Sequence, residues 1–185
     1  MTGRVLPALL LALAGCAAAP ASPERTGPLL DPPLSPASLG RDLSRGELLT
    51  GDYGGRSRTM RVEIEVTADR LVVVGLSLAG VPLFTLEQTA AGVTVEGAAL
   101  GRLPFDPAYI LADLQLVHWP GDVLGPALAA RGLAVEERAG RRRVIDRDGR
   151  LLVEITYGRA DDVTTLRHLD HPYGLCIEAI DGTAG

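Results

Sequence analysis

The sequence predicts a mainly β domain with a helical insertion: about ten antiparallel strands in one curled sheet, covered by two short central helices. Three observations carry that reading. Apolar and polar residues alternate with period two through much of residues 47–96. Apolar spacing turns helical between residues 106 and 131. Alternation then returns and runs to residue 180. Period two marks a strand buried on one face, and a period near 3.6 marks a helix.

The elements follow in order. A short helical turn is expected near residues 39–43. Met60, Val62, Ile64 and Val66 alternate with Arg61, Glu63 and Glu65, which makes a half-buried strand. Ala68-Asp69 turns the chain into a second strand over 71–78, and strands at 82–89 and 93–96 are punctuated by Gly80 and by Ala91-Gly92. Asp106-Pro107 opens a helix, with a carboxylate at the N-cap and proline in the first turn. Ile110, Leu111, Leu114 and Val117 continue it at helical spacing until Trp119-Pro120-Gly121 breaks it. Asp122 caps a second helix over 123–131, which Gly132 stops. Strands at 133–138 and 141–146 flank Gly140. Asp148-Gly149 predicts a two-residue hairpin into a strand at 151–157, and strands at 163–169 and 173–180 close the chain. So long a sheet curls or closes to protect its edges.

The N-terminus carries a different signal. Arg4, the apolar run 5–14 and the ending Leu13-Ala14-Gly15-Cys16 have the order of a secretory signal: positive start, apolar stretch, small residues. The run is too short to span a bilayer as a helix. Its small-small-Cys ending resembles the bacterial lipobox. That resemblance implies cleavage after residue 15, acylation of Cys16, and attachment to a membrane through that lipid. Ala17 in place of aspartate then implies sorting to the outer membrane, on its periplasmic face. Pro20, Pro23, Pro28, Pro32, Pro33 and Pro36 make residues 16–44 a spacer unsuited to a core, and residues 45–182 form the domain.

Composition narrows the partners. The net charge is −5 and every one of the 18 cationic residues is arginine. That balance excludes a nucleic-acid surface, which needs a basic face. With Cys16 acylated, Cys176 stands alone within the apolar Leu175-Cys176-Ile177 and reads as a small buried hydrophobe. No phosphate loop and no Cys/His set with zinc spacing is present, and no cofactor is expected.

The run Ile110-Leu111-Ala112-Asp113-Leu114-Gln115-Leu116-Val117-His118-Trp119-Pro120 resembles the signature of an uncharacterised family of bacterial lipoproteins from aryl-polyene gene clusters. Arg141-Arg142-Arg143, Asp148-Gly149 with Leu151 to Ile155, and His171-Pro172-Tyr173-Gly174-Leu175 fit the same pattern over roughly residues 45–180. The family is similar to the periplasmic carrier and the outer-membrane receptor of lipoprotein sorting. The resemblance implies an incomplete antiparallel β-barrel, a helical cover and an apolar cavity for an acyl chain. It brings no catalytic residues. The turn Leu78-Ala79-Gly80-Val81-Pro82-Leu83 reads as a plain hairpin rather than as the finger loop of the sorting receptor.

Candidate site residues follow. Tyr109, Leu111, Leu114, Trp119 and Phe84 are candidates to line a ligand cavity, with core packing as the alternative for the aromatics. Arg141 and Arg143 are candidates to meet an anionic head group; a solvated strand opposite Glu136 and Glu137 is the alternative. Asp113 and Gln115, polar within an apolar helix, suit a bond to a neighbouring strand better than a ligand contact. His118, His168 and His171 lack a partnering nucleophile elbow; Ser44, Ser57 and Ser77 sit in none, and His168-x-x-His171 supplies too few donors for a metal. The expectation is a monomeric, non-catalytic outer-membrane lipoprotein that binds an acyl or aryl-polyene lipid. An adaptor with a solid interior and a lipid-acting thioesterase are the rivals.

Overall fold

A computed structural model describes residues 27–53, 55–97, 106–158, 163–170 and 173–180. Its ten strands are β1 (Leu43–Tyr53), β2 (Arg56–Val66), β3 (Arg70–Leu76), β4 (Pro82–Thr89), β5 (Gly92–Glu96), β6 (Leu133–Arg138), β7 (Arg141–Asp146), β8 (Leu151–Tyr157), β9 (Val163–His168) and β10 (Tyr173–Ala179). Between β5 and β6 come helices α1 (Pro107–His118) and α2 (Gly121–Ala129). The strands form one open antiparallel sheet in the order β5-β4-β3-β2-β1-β10-β9-β8-β7-β6. Two meanders of sequential hairpins are thus welded by a single long-range pair, Glu47–Tyr53 of β1 against Tyr173–Ala179 of β10. The chain does not close the barrel, so β5 and β6 remain edges.

Alternation determines which side is buried. Val62, Ile64 and Val66 of β2, Leu71 and Val73 of β3, and Phe84 and Leu86 of β4 are all 2% exposed or less and face inward. Gly75 belongs to the same inward row, beside the buried Phe84 ring, and a Cβ there would overlap that ring. The ladder between β3 and β4 shifts register at Gly75/Leu76. Gly75→Ala is therefore expected to cost about 1–3 kcal/mol, the usual range for overpacking. A drop in the urea midpoint that a second change, Phe84→Leu, largely reverses is the expected readout.

Helix α1 begins as its sequence requires. The Asp106 carboxylate accepts from the Ala108 N–H at 2.9 Å, and Pro107 occupies the first turn. Eight consecutive residues, Ile110 to Val117, are buried. A helix apolar on every side needs cover on every side. The sheet covers one side and the N-terminal segment another. Trp119, extended ahead of Pro120, ends the helix.

That N-terminal segment departs from expectation. Its later half was expected to be solvated spacer, yet Leu29, Leu30, Pro36 and Leu39 are buried. It runs as a strap, with a 3₁₀ turn at Pro36–Leu39, earlier than the turn expected at 39–43. The Leu34 N–H donates to Gln115 Oε1, and Leu34 O accepts from Gln115 Nε2 and Gln88 Nε2, each at 2.8 Å. Trp119 Nε1–H donates to Ser38 Oγ at 2.8 Å, and the Arg131 guanidinium donates to Asp31 O. A few leucines among prolines suffice because borrowed side-chain amides satisfy the strap's backbone.

Smaller differences have local causes. β1 starts at Leu43 and β2 at Arg56, earlier than the onset of clear alternation, because the β1–β2 ladder runs on through polar residues such as Ser57 and Thr59. α2 starts at Gly121 with Pro120 as its cap, and Asp122 lies in its first turn without capping it. Ala139-Gly140, both at positive φ, make a tight two-residue turn, whereas residues 147–150 form a wider loop closed by Asp146 Oδ1 on the N–H groups of Asp148 and Arg150. Cys176 is only half-buried and reduced; burial and the Glu178 carboxylate push its thiol pKa up, which keeps the thiolate scarce.

Candidate functional site

The candidate site is the seam between α1 and the sheet. Ile110, Leu114 and Val117 of α1 face Leu49 of β1, Ile64 of β2 and Ile177 of β10 across a residual cavity of about 20 Å³. That volume holds about one water. Three polar side chains also line it: Glu47 from β1, and Asp113 and His118 from α1.

Discrete polar ties cross the seam. His168 Nε2 lies 2.9 Å from Asp113 Oδ1, with side chains only 5% and 3% exposed. Asp170 Oδ1 stands 4.0 Å from the other ring nitrogen, and the Tyr173 ring lies 5.3 Å from the imidazole. Burial works against a charged imidazole here, but the Asp113 hydrogen bond and charge, with Asp170, outweigh it and hold the His168 pKa above its ordinary 6.5. Burial pushes the Tyr173 phenol far up, and the Asp113 carboxylate adds to the shift. A second tie joins His118 Nε2 to Glu47 Oε1 at 3.2 Å, and Arg45 Nε contacts the same oxygen at 2.8 Å.

The C-terminal end of α1 is held differently. Buried Arg142 of β7 donates to the carbonyls of Leu116 and Val117, and the Tyr157 hydroxyl donates to Val117 O at 2.9 Å. Cationic and hydroxyl donors suit the free carbonyls of a helix end. Glu137 accepts from Arg142 Nε at 2.7 Å, and the guanidinium lies 5.7 Å from the Tyr157 ring centre.

The raised His168 pKa gives a pH prediction. The stability it contributes is fully present below pH 6.5, the unfolded value, and is lost as pH rises through the higher folded value. The urea midpoint is expected to fall as the buffer passes upward through that window. The His168→Gln protein should show a flatter profile.

The candidates from the sequence separate. Leu114 lines the seam cavity. Trp119, Phe84 and Leu111 are buried elsewhere in the core, and Tyr109 is half-buried on α1. Arg141 and Arg143 are exposed on β7, beside a surface groove shared with Glu136 and Arg138, and Arg143 pairs with Glu154 at 2.9 Å. Asp113 makes the expected bond to a strand. Cys16 and His171 lie outside the described residues. Ser44 and Ser57 are exposed, and Ser77 Oγ accepts from Val81 N within the β3–β4 turn. Sequence reasoning missed Glu47, Gln88 and Arg142 as buried polar groups. Parity was the available signal for all three: Glu47 shares a face with Leu49, Gln88 with Leu86, and Arg142 with Val144.

A helix-covered open sheet, tied through buried carboxylates and histidines, is the class these features define. The chain belongs to the family described as protein of unknown function (DUF3261), whose match spans residues 44–181. No curated protein matches it. Among solved structures it is similar to that of a DUF1329 family protein from Desulfovibrio piger ATCC 29098, at 11% identity and a TM-score of 0.38, covering 86% of this chain and 96% of that one.

Proposed function

We propose that this protein is a non-catalytic, lipid-anchored envelope protein that binds an apolar chain, acyl or aryl-polyene, between α1 and the sheet. One observation carries the reading: a helix buried from Ile110 to Val117 lies across an open sheet over an apolar seam that still holds a cavity. Ligand pockets usually measure roughly 300–1,000 Å³, far above the 20 Å³ present. Binding therefore accompanies displacement of α1, and burial of the chain drives it at about 25 cal/mol per Å² of apolar surface. The lipobox-like Leu13-Ala14-Gly15-Cys16 and Ala17 support acylation at Cys16 and residence at the periplasmic face of the outer membrane. Placement of the lipid in that membrane is the role we assign.

Native mass spectrometry of the unacylated chain from Cys16 onward, purified from its own host, tests the reading. A stoichiometric acyl or polyene species supports it. An empty protein that also fails to take up a fluorescent fatty alcohol overturns it. The nearly filled interior, with Leu78 and Val81 exposed by 70% and 58% at the β3–β4 turn, favours a second reading. In that reading the protein is a solid adaptor whose outer surface meets a protein partner.

A further inference from the structure

We propose that the β3–β4 turn is a footing on a lipid surface: Leu78 and Val81 enter the bilayer interface and set which rim of the sheet faces the membrane. The proposed anchor at Cys16 enters this inference only as what brings a membrane near; neither the seam nor its ligand is used.

Turns at the rim of a sheet are normally polar. Here Leu78, Ala79, Gly80, Val81 and Pro82 are exposed in succession without a polar side chain among them. No charged residue occurs from Gly75 to Leu86. Leu78 and Val81 are 70% and 58% exposed, the most among the described large apolar residues. The backbone of the turn closes on itself through Ser77. The Ser77 N–H donates to Val81 O at 2.9 Å, the Gly80 N–H to Ser77 O at 2.8 Å, and the Val81 N–H to Ser77 Oγ at 3.1 Å. Pro82 has no N–H. An apolar medium penalises every open N–H, so a turn that bonds most of its own suits lipid. A protein partner supplies hydrogen bonds of its own and needs no such closure. Position agrees with this. Every neighbouring pair in the sheet is antiparallel, so the odd-numbered strands all end at one rim, the rim that carries this turn. The strap begins at the same rim: Asp31 O accepts from Arg131, two residues before Leu133, where β6 starts opposite the end of β7. The chain toward Cys16 therefore leaves from the rim of Leu78 and Val81. Arg56 and Arg58 are exposed where β2 runs past the end of β3, with Asp52 the carboxylate on that arm. Guanidinium groups beside an apolar tip suit the phosphates of a lipid interface.

The test uses the chain from Ala17 to Gly185, which retains every element described above, and vesicles of phosphatidylethanolamine with phosphatidylglycerol. Flotation with the vesicles is expected. The pair Leu78→Ser with Val81→Ser should raise the lipid concentration for half binding about tenfold. Both side chains are exposed, so the urea midpoint of that variant should stay where it is. In a Cys176→Ser background, an environment-sensitive dye on Ala79→Cys should shift to the blue with vesicles. The same dye on Ala91→Cys, in the β4–β5 turn at the opposite rim, should not. Absence of flotation, or flotation that the two serines leave unchanged, overturns the footing. A dimer in solution that the serine pair dissociates, with no lipid binding, overturns it too and assigns the turn to a second copy. None of these outcomes touches chain binding in the seam, which the mass-spectrometric experiment decides.

Discussion

Replacing His168 with alanine is expected to destabilise the domain by about 3–5 kcal/mol, the cost of stranding one partner of a buried ion pair. Asp113 is 2% exposed and has this imidazole 2.9 Å from Oδ1. The substitution leaves a desolvated carboxylate beneath a helix. The measurement is the urea midpoint at pH 6, with an unchanged dependence on denaturant concentration. The double change Asp113→Leu with His168→Leu should recover most of the loss, since apolar residues of similar volume often replace a buried pair at little cost. A small loss in His168→Ala would mean that the tie does not hold α1 to β9.

Trp119→Ala is expected to cost about 3–5 kcal/mol through the cavity it leaves. Trp119 is fully buried, and its indole N–H reaches Ser38 on the strap. The side chain therefore serves as core and as clasp. Trp119→Phe separates the two roles: it retains much of the packing and loses the hydrogen bond, worth about 1 kcal/mol. Limited proteolysis between residues 27 and 42 reads the clasp directly, with faster cutting expected in both variants.

The strands were legible because alternation is local. Val62, Ile64 and Val66 identify β2 without knowledge of any other element. Asp106-Pro107 likewise marks its own helix start. What escaped depends on residues far apart in the chain. The strap looked too poor in apolar residues to pack, because its satisfaction comes from Gln88 and Gln115, 54 and 81 positions from Leu34. The site's main tie joins residues 55 apart, Asp113 and His168. Of the three consecutive arginines, the outward pair drew attention as head-group contacts, while the inward Arg142 secures the end of α1. Parity within β7 carries that distinction, but only once the buried face is known.

The packed strap also shortens the leash. With Cys16 as the proposed anchor, Leu29 is the first of the described residues seated in the core, 13 positions further on. A fully extended chain covers at most about 3.3–3.6 Å per residue. On the proposed acylation of Cys16, the folded domain stays within roughly 45 Å of the surface that holds the anchor. A solvated spacer out to residue 44 would have allowed about twice that radius. On the same proposal, the domain works beside the membrane that holds its anchor, where whatever it handles has to arrive or depart.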